Sequence, residues 1–387
     1  MIPMTSSVLV VGASIAGTSL AHWLRRAGFR PTVAERAPAL RDGGYTVDVR
    51  GAALEVVERM GVLDDVRRLR TAVRAGTVVD AAGRRVASMD GDTFGGRAHG
   101  DAELLRGDLT RVLYGLTEDD VEYRFGEAVT GIAGNEVTFS SGRTESYDLV
   151  IGADGVHSTT RALAFGPEER YVHDLGYRIA IATVPNHLGL DREEVTYVGP
   201  GRTTLVYSTA GEATAKAMFL YESPGDARQT LREAYAGQGW EVPRLLDAVE
   251  SAPDLYSDTM SQVTMDRWSA GPVALVGDAA YCASTASGQG TSLALVGAYV
   301  LAGELRAHDD PAAAFAAYER RMRPFAERNQ ALGPANVRRM VLHSRRQVRM
   351  SMRMLAVLDR LPGKDRLLAK VMQPLHRAAT AIELPAY

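Results

Sequence analysis

An α/β fold is predicted, in which one domain built on parallel strands is interrupted by a mostly antiparallel sheet and followed by helices. Three observations predict it. A short apolar strand at residues 8–11 runs into the small-residue turn Gly12-Ala13-Ser14-Ile15-Ala16-Gly17 and then a helix. Two further apolar runs, at 147–151 and 273–276, end in Gly152-Ala153-Asp154-Gly155 and Gly277-Asp278. From about 171 to 266 the chain changes to alternating segments separated by turn residues, the composition of antiparallel sheet. The 387 residues suffice for two or three compact units, and 46% hydrophobic with 24% charged residues is an ordinary globular balance.

Val8 to Val11 is apolar on both faces, as a central parallel strand is. Ile15, Ser19, Leu20, Trp23, Leu24 and Ala27 then recur at helical spacing, and Gly28 suits the helix C-terminus. Residues 31–35 form the next strand, ending on Glu35. Helices are expected at 52–60 and 101–116, with strands between them from 77 to 89 around a turn at Ala82-Gly83. Strands are predicted at 178–184, 194–198, 203–209 and 215–221. After Gly288 the chain reads as helical. The expected organisation is one α/β domain made of 1–72, 101–168 and 268–328, an inserted sheet domain of 73–100 and 169–267, and a helical segment at 329–387.

Composition narrows the function. A net charge of -3 and a pI of about 6.3 exclude a chain specialised for nucleic acid. The single cysteine, Cys282, forms no intrachain disulfide. The apolar stretch 8–24 breaks at Gly12 and carries its arginines after it, so neither a leader nor a membrane span is expected, and a cytoplasmic location is. The eight histidines are scattered without paired spacing, and no metal site is expected. His157, His173 and Asp174 lie close enough to the motifs to be weighed as acid–base groups, although solvated or core roles are the commoner ones.

The turn from Gly12 to Gly17 has the context that dinucleotide binding requires, between a strand and a helix. Ser14 stands where the second glycine usually lets backbone approach a pyrophosphate, and its small side chain leaves room. Glu35, 23 residues after Gly12, ends the second strand, where an acid accepts from ribose hydroxyls. Asp154 and Asp278 project from the carboxyl ends of parallel strands, where ligands of open α/β sheets bind. Each alone reads first as a helix N-cap; the three motifs together, in this order, point to a cofactor.

These residues resemble the group A flavoprotein monooxygenases, which have the para-hydroxybenzoate hydroxylase fold. The likeness spans nearly the whole chain and implies a Rossmann-like FAD-binding domain with an inserted, mostly antiparallel β-sheet substrate domain and C-terminal helices. It assigns Gly12, Ser14, Ile15, Ala16, Gly17, Glu35 and Arg36 to the FAD adenosine end. It adds Arg50, Arg106, Asp154, Gly155, Arg161, Gly277, Asp278, Gly290, Thr291 and Ser292 to the cofactor site. The runs 44–51, 184–190 and 296–305 are similar to tetracycline-inactivating and polyketide-type flavin monooxygenases. The family usually has proline between the Gly-Asp motif and the following turn. Here Ala283 and Thr285 or Ala286 occupy that region, followed by Gly288, Gln289 and Gly290 beside the flavin ring, and a more mobile loop is expected.

The resemblance implies that NAD(P)H reduces FAD as a transient co-substrate and that O2 then gives a flavin hydroperoxide. That species oxygenates a small aromatic or polyketide-like polycyclic molecule, by hydroxylation or oxygen insertion. No catalytic side chain is then required, because the cofactor carries the chemistry. Gly199-Pro200-Gly201 reads as a β-turn rather than a nicotinamide loop. Two alternatives stand beside this reading: a structural FAD assisting a non-oxidative cyclisation, and an NAD-dependent dehydrogenase. Tyr207, Met218 and Phe219 are candidate substrate contacts, with core packing as the plainer role. Tyr177, Ile179, Ile181 and Thr183 share one strand face, and which face looks inward is left open. A monomer or weak dimer is expected. A basic amphipathic helix from Val337 to beyond Leu355 suits a membrane surface or an acidic partner, but packing across the back of the molecule with its arginines in water is the expectation preferred; a last helix at 365–381 is expected to close over the substrate entrance.

Overall fold

The computed structural model describes residues 6–41, 44–98, 100–209, 212–223 and 229–387. One sheet has the spatial order Ser269–Ala270, Val273–Leu275, Leu149–Gly152, Ser7–Val11, Arg30–Glu35, Glu122–Phe125. All neighbours but the first pair run parallel. Its strands come from separated parts of the chain, so their carboxyl ends gather turns that are far apart in sequence. Helix Ile15–Arg26 covers one face and packs with the long helix Gly290–Ala307, whose side chains from Thr291 to Leu305 are all buried. That all-round burial explains why its sequence is nearly uniformly apolar.

The second large sheet has the order Tyr256–Val263, Val172–Pro185, Thr214–Glu222, Arg202–Ser208, Glu193–Gly199, Ala75–Val79, Arg85–Asp90. It is antiparallel except where Glu193–Gly199 meets Ala75–Val79. Pro200 and Gly201 close the hairpin between Gly199 and Arg202, and Gly201 takes φ 72°, the position that a type II turn reserves for glycine. The outer face, Ala180, Ala182, Val206, Ala217, Phe219 and Tyr221, packs on helices Leu231–Ala234 and Val242–Glu250. The inner face, Tyr177, Ile179, Ile181, Leu220 and Met260, packs toward Tyr45, Ala286, Val337 and Val341. On the outer face Ala180, Ala182 and Ala217 leave room beside Phe219 and Tyr221 for the helices, while the inner residues face the parallel-sheet half.

Several expectations need correction. The expected helix 101–116 begins as strand Ala102–Leu105, paired antiparallel with Thr46–Val49, and becomes helix only at Arg106. Its first residues satisfy their backbone on a partner strand that helical periodicity cannot reveal. The single helix expected from Val337 onward is broken: Leu332–Met340 ends, Val341 is buried, and Ser344 caps a new helix Arg345–Asp359 in a capping box with Gln347. The last helix is Lys364–Ala379. The three-stranded sheet Val129–Ala133, Glu136–Phe139, Thr144–Ser146 was not foreseen.

Candidate functional site

At the end of the first strand Gly12 takes φ 107°, and a Cβ there would lie 2.6 Å from the Ala153 carbonyl oxygen. A Cβ at Gly17 would overlap the Gly12 oxygen. Both glycines are therefore demanded by close backbone approach, with Ile15 and Ala16 buried behind them at the helix start. Ser14 precedes the helix without capping it; its Oγ accepts from Arg106 Nη2 at 2.6 Å. Glu35 braces the turn, Oε2 accepting from the Ala13 amide and Oε1 from the Ala37 amide, both at 2.9 Å. Arg36 beside it is exposed.

The two strand-end acids differ. Asp154 accepts from the Ser158 hydroxyl, from the Thr160 amide at 2.9 Å and from the Thr160 hydroxyl at 3.0 Å. Ser158, not Asp154, caps the next helix. Gly155 turns the loop at φ 86°. Asp278 sits in a recess, partly accessible yet closely surrounded. Burial pushes its carboxyl pKa up, opposed by the Cys282 thiol and the Arg106 guanidinium. A Cβ at Gly290 would lie 3.8 Å from its Oδ1, and one at Gly277 3.0 Å from Ala16 Cβ.

Arg161 is fully buried and joins the two acid loops. Its Nη2 donates to Val156 O and pairs with Glu168, while Nη1 donates to Ala279 O at 3.1 Å. Burial lowers its pKa, opposed by Glu168 and Asp154. Its guanidinium is committed to protein carbonyls, as is that of Arg50, which binds Gly95 O, Gly96 O and Asp48.

After Asp278 the chain passes buried Cys282 and Ala283, Ser284 at φ 71°, exposed Thr285, and Gly288 at φ 64°. Burial pushes the Cys282 thiol well up, which suits packing rather than reactivity. Beside the expected gain in mobility stands a counterweight: side-chain amides reach the loop's carbonyls. Gln330 reaches Cys282 O at 3.4 Å, Gln262 reaches Ala283 O at 3.3 Å, and Asn336 reaches Ala286 O at 3.0 Å. Gln289 is fully buried, and neither of its amide side-chain atoms has a partner. Helix Gly290–Ala307 starts immediately after it, with Thr291 and Ser292 in its first turn. Ser292 Oγ donates to Arg50 O at 3.3 Å.

The inner face of the large sheet lies opposite this loop. Met218 belongs to it, as do Tyr207, whose hydroxyl accepts from the Thr46 amide at 3.0 Å, and Glu194, its direct partner in register. Phe219 does not: it points to the outer face against the Tyr235 ring, 5.0 Å between centroids. The expectation that Tyr207, Met218 and Phe219 share a pocket is corrected accordingly, since neighbours in a strand face opposite ways. Burial, with the Glu103 and Asp48 charges and against Arg97, pushes the Glu194 carboxyl up to about 8. At the other edge Tyr256 donates to Asp258 at 2.8 Å, and the His157 ring bridges Asp258 and Glu168 at 3.1 and 2.9 Å. His173 and Asp174 are exposed on the long strand. Sequence reasoning missed Glu194, Tyr45, Tyr256 and Asp258. For Glu194 the one available signal was an acid in step with Thr196, opposite to Val195 and Tyr197 in the alternation.

The profile of the FAD binding domain family matches residues 5–331. The chain belongs to that family. An uncharacterized protein of Mycobacterium tuberculosis is 45% identical over 347 residues, covering 86% of this chain and 93% of that one. A flavin-dependent monooxygenase from an unknown prokaryotic organism is 40% identical over 344 residues, covering 86% and 89%. The crystal structure of tetracycline destructase Tet(55) superposes with a TM-score of 0.84 at 36% identity, covering all of both chains. The protein is an FAD-dependent monooxygenase, and the dehydrogenase alternative falls away. The residues fit such a cofactor on their own terms: a recessed acid whose burial outweighs what Cys282 and Arg106 return, and a buried amide lacking partners at the start of a long helix. Among the described residues no group of three or more His, Cys, Asp or Glu could hold a metal ion, and no helix is long and apolar enough to cross a membrane.

Proposed function

We propose that the protein uses NAD(P)H and O2 to oxygenate an aromatic or polyketide-like polycyclic substrate held between the 283–290 loop and the inner face of the large sheet. The observation that carries this is the juxtaposition itself: the start of helix Gly290–Ala307 and the recessed Asp278 lie on one side, and Ile179, Ile181 and Met218 on the other. The likeness to Tet(55) supports a polycyclic substrate. We assign 1–72, 101–168 and 268–328 to the cofactor half, 73–100 and 169–267 to the substrate half, and 329–387 to a helical appendage.

Bound FAD supplies electron storage and oxygen activation. The chain's part is to bind, orient and keep the site dry. The turn at Gly12–Gly17 and the helix that follows offer backbone amides to a diphosphate, with Arg106 and Ser14 at its edge. Glu35 and Asp278 accept from sugar and sugar-alcohol hydroxyls. Gln289 and the first amides of Gly290–Ala307 meet polar ring atoms and favour negative charge there. In the sheet half, aliphatic side chains exclude water, and Glu194, its carboxyl pushed up to about 8 by burial, offers a proton for a hydrogen bond to a substrate oxygen.

The test is substrate-dependent NADPH oxidation by the yellow holoenzyme with heavy-oxygen-labelled O2 and a panel of polycyclic phenols. Label in the product supports the proposal. A product formed without label or NADPH consumption sinks it in favour of a non-oxidative cyclisation, the reading motivated by the proline-free loop.

A further inference from the structure

The helix Arg345–Asp359 has two apolar faces, only one of which the fold uses. Val348, Met352 and Leu355 are half-buried on the side toward strand Arg85–Asp90, where Asp359 accepts from the Ser88 amide at 3.2 Å and pairs with Arg85 at 3.1 Å. Met350, Met354 and Val357, spaced by four and three residues, form a second stripe on the opposite side of the helix. These three are 66%, 64% and 59% exposed, and Leu361, just past the helix end, continues the line at 49%. Every other exposed large apolar side chain among the described residues, save Val371 on the next helix, is less exposed than these.

Charge distinguishes this stripe from an accidental one. Six arginines and no acid lie between Arg338 and Leu358, in a chain whose net charge is -3. On the helix, Arg346, Arg349 and Arg353 run along one flank of the apolar stripe, and no ion pair engages them among the described residues. The nearest acid on the element is Asp359, already held by Arg85 and Lys364. An apolar ridge with a guanidinium border and no acid matches the boundary of an anionic bilayer, where the ridge enters the acyl edge and the arginines meet phosphates. A second copy is the poorer match, because an isologous contact sets the patch against itself, arginine flank included.

We propose that this outer face of helix Arg345–Asp359 is a peripheral docking surface for an anionic lipid bilayer. The helix lies flat on the surface and does not span it, in keeping with its 15 residues.

The test is flotation of the FAD-loaded enzyme with phosphatidylglycerol-containing vesicles and with pure phosphatidylcholine vesicles, alongside its oligomeric state in solution. Binding to the anionic vesicles at least about tenfold stronger than to the neutral ones is expected, falling in high salt. Two separate variants follow. Met350→Ser with Met354→Ser removes the ridge, and Arg346→Gln, Arg349→Gln and Arg353→Gln remove the border. Each is expected to abolish flotation while flavin content and circular dichroism stay as in the parent. No preference for anionic vesicles overturns the proposal. So does a dimer that the Met350→Ser, Met354→Ser variant dissociates, which would make the face a contact between copies.

Discussion

Asp154 and Asp278 end neighbouring parallel strands of the same sheet, each after an apolar run and a glycine, and they do opposite things. The Asp154 carboxylate is saturated by Ser158 and Thr160 of its own loop. Asp278 has only the Cys282 thiol and the Arg106 charge to offset its burial, and its pKa rises. One acid folds a turn; the other keeps a burial cost that its neighbours only partly offset. On the proposed function, the first builds the site and the second faces the cofactor. Arg161 is the strut between them.

The most damaging way to probe that division is to cut the strut. Arg161→Met leaves Val156 O and Ala279 O without their buried donor, and should cost about 2–4 kcal/mol in urea unfolding. Next, Asp278→Asn should weaken FAD binding by about tenfold to a hundredfold, since a charged acceptor is worth roughly 1.5–3 kcal/mol. The same change should stabilise the apoprotein near neutral pH. A carboxyl whose folded pKa is raised binds its proton more tightly when folded, so stability is lost as pH rises from the unfolded value through the folded one. Asparagine removes that loss. Asp154→Asn should do the reverse: it lowers apoprotein stability by about 1–2 kcal/mol and leaves the FAD affinity of the folded enzyme within about threefold. If both variants move stability in the same direction, the distinction between the acids fails.

Glu194→Gln extends the comparison to the sheet half. The wild-type carboxyl, raised to about 8, should make stability decline between its unfolded value of 4.5 and pH 8, and the variant should flatten that decline in thermal melts. The smallest effect belongs to His157. Burial works against its charge, yet hydrogen bonds to Glu168 and Asp258 outweigh it and raise its pKa. Its contribution is therefore complete below the unfolded value of 6.5 and lost as pH rises through the folded one. Because the ring is half-exposed, His157→Gln should cost under about 1 kcal/mol at pH 6 and nothing by pH 9.

Much of this was legible from the residues alone. Gly12 and Gly17 announced a strand–turn–helix junction, because backbone contact there leaves no room for a side chain, and that requirement is local. The apolar runs at 147–151 and 273–276 marked strands buried on both faces for the same kind of reason, and the strands form at Leu149–Gly152 and Val273–Leu275. The strand at 102–105 did not show itself, since its partner Thr46–Val49 is remote in sequence and register is a property of the pair. The replacement of proline after Asp278 was visible; its compensation by Gln262, Gln330 and Asn336 was not, because the clamps come from three other elements.

By itself the sequence determined where the backbone must turn tightly and which segments are buried on both sides. These follow from sterics and from hydrophobic periodicity, which act over a few residues. Tertiary structure alone decided which strand-end acid is bonded within its own loop and which is left in a recess, that Met218 and not Phe219 faces the cleft, and that the arginine-rich helix shows a second apolar stripe to its surroundings. Each of these depends on what lies across a gap between distant elements, and no local rule carries that information.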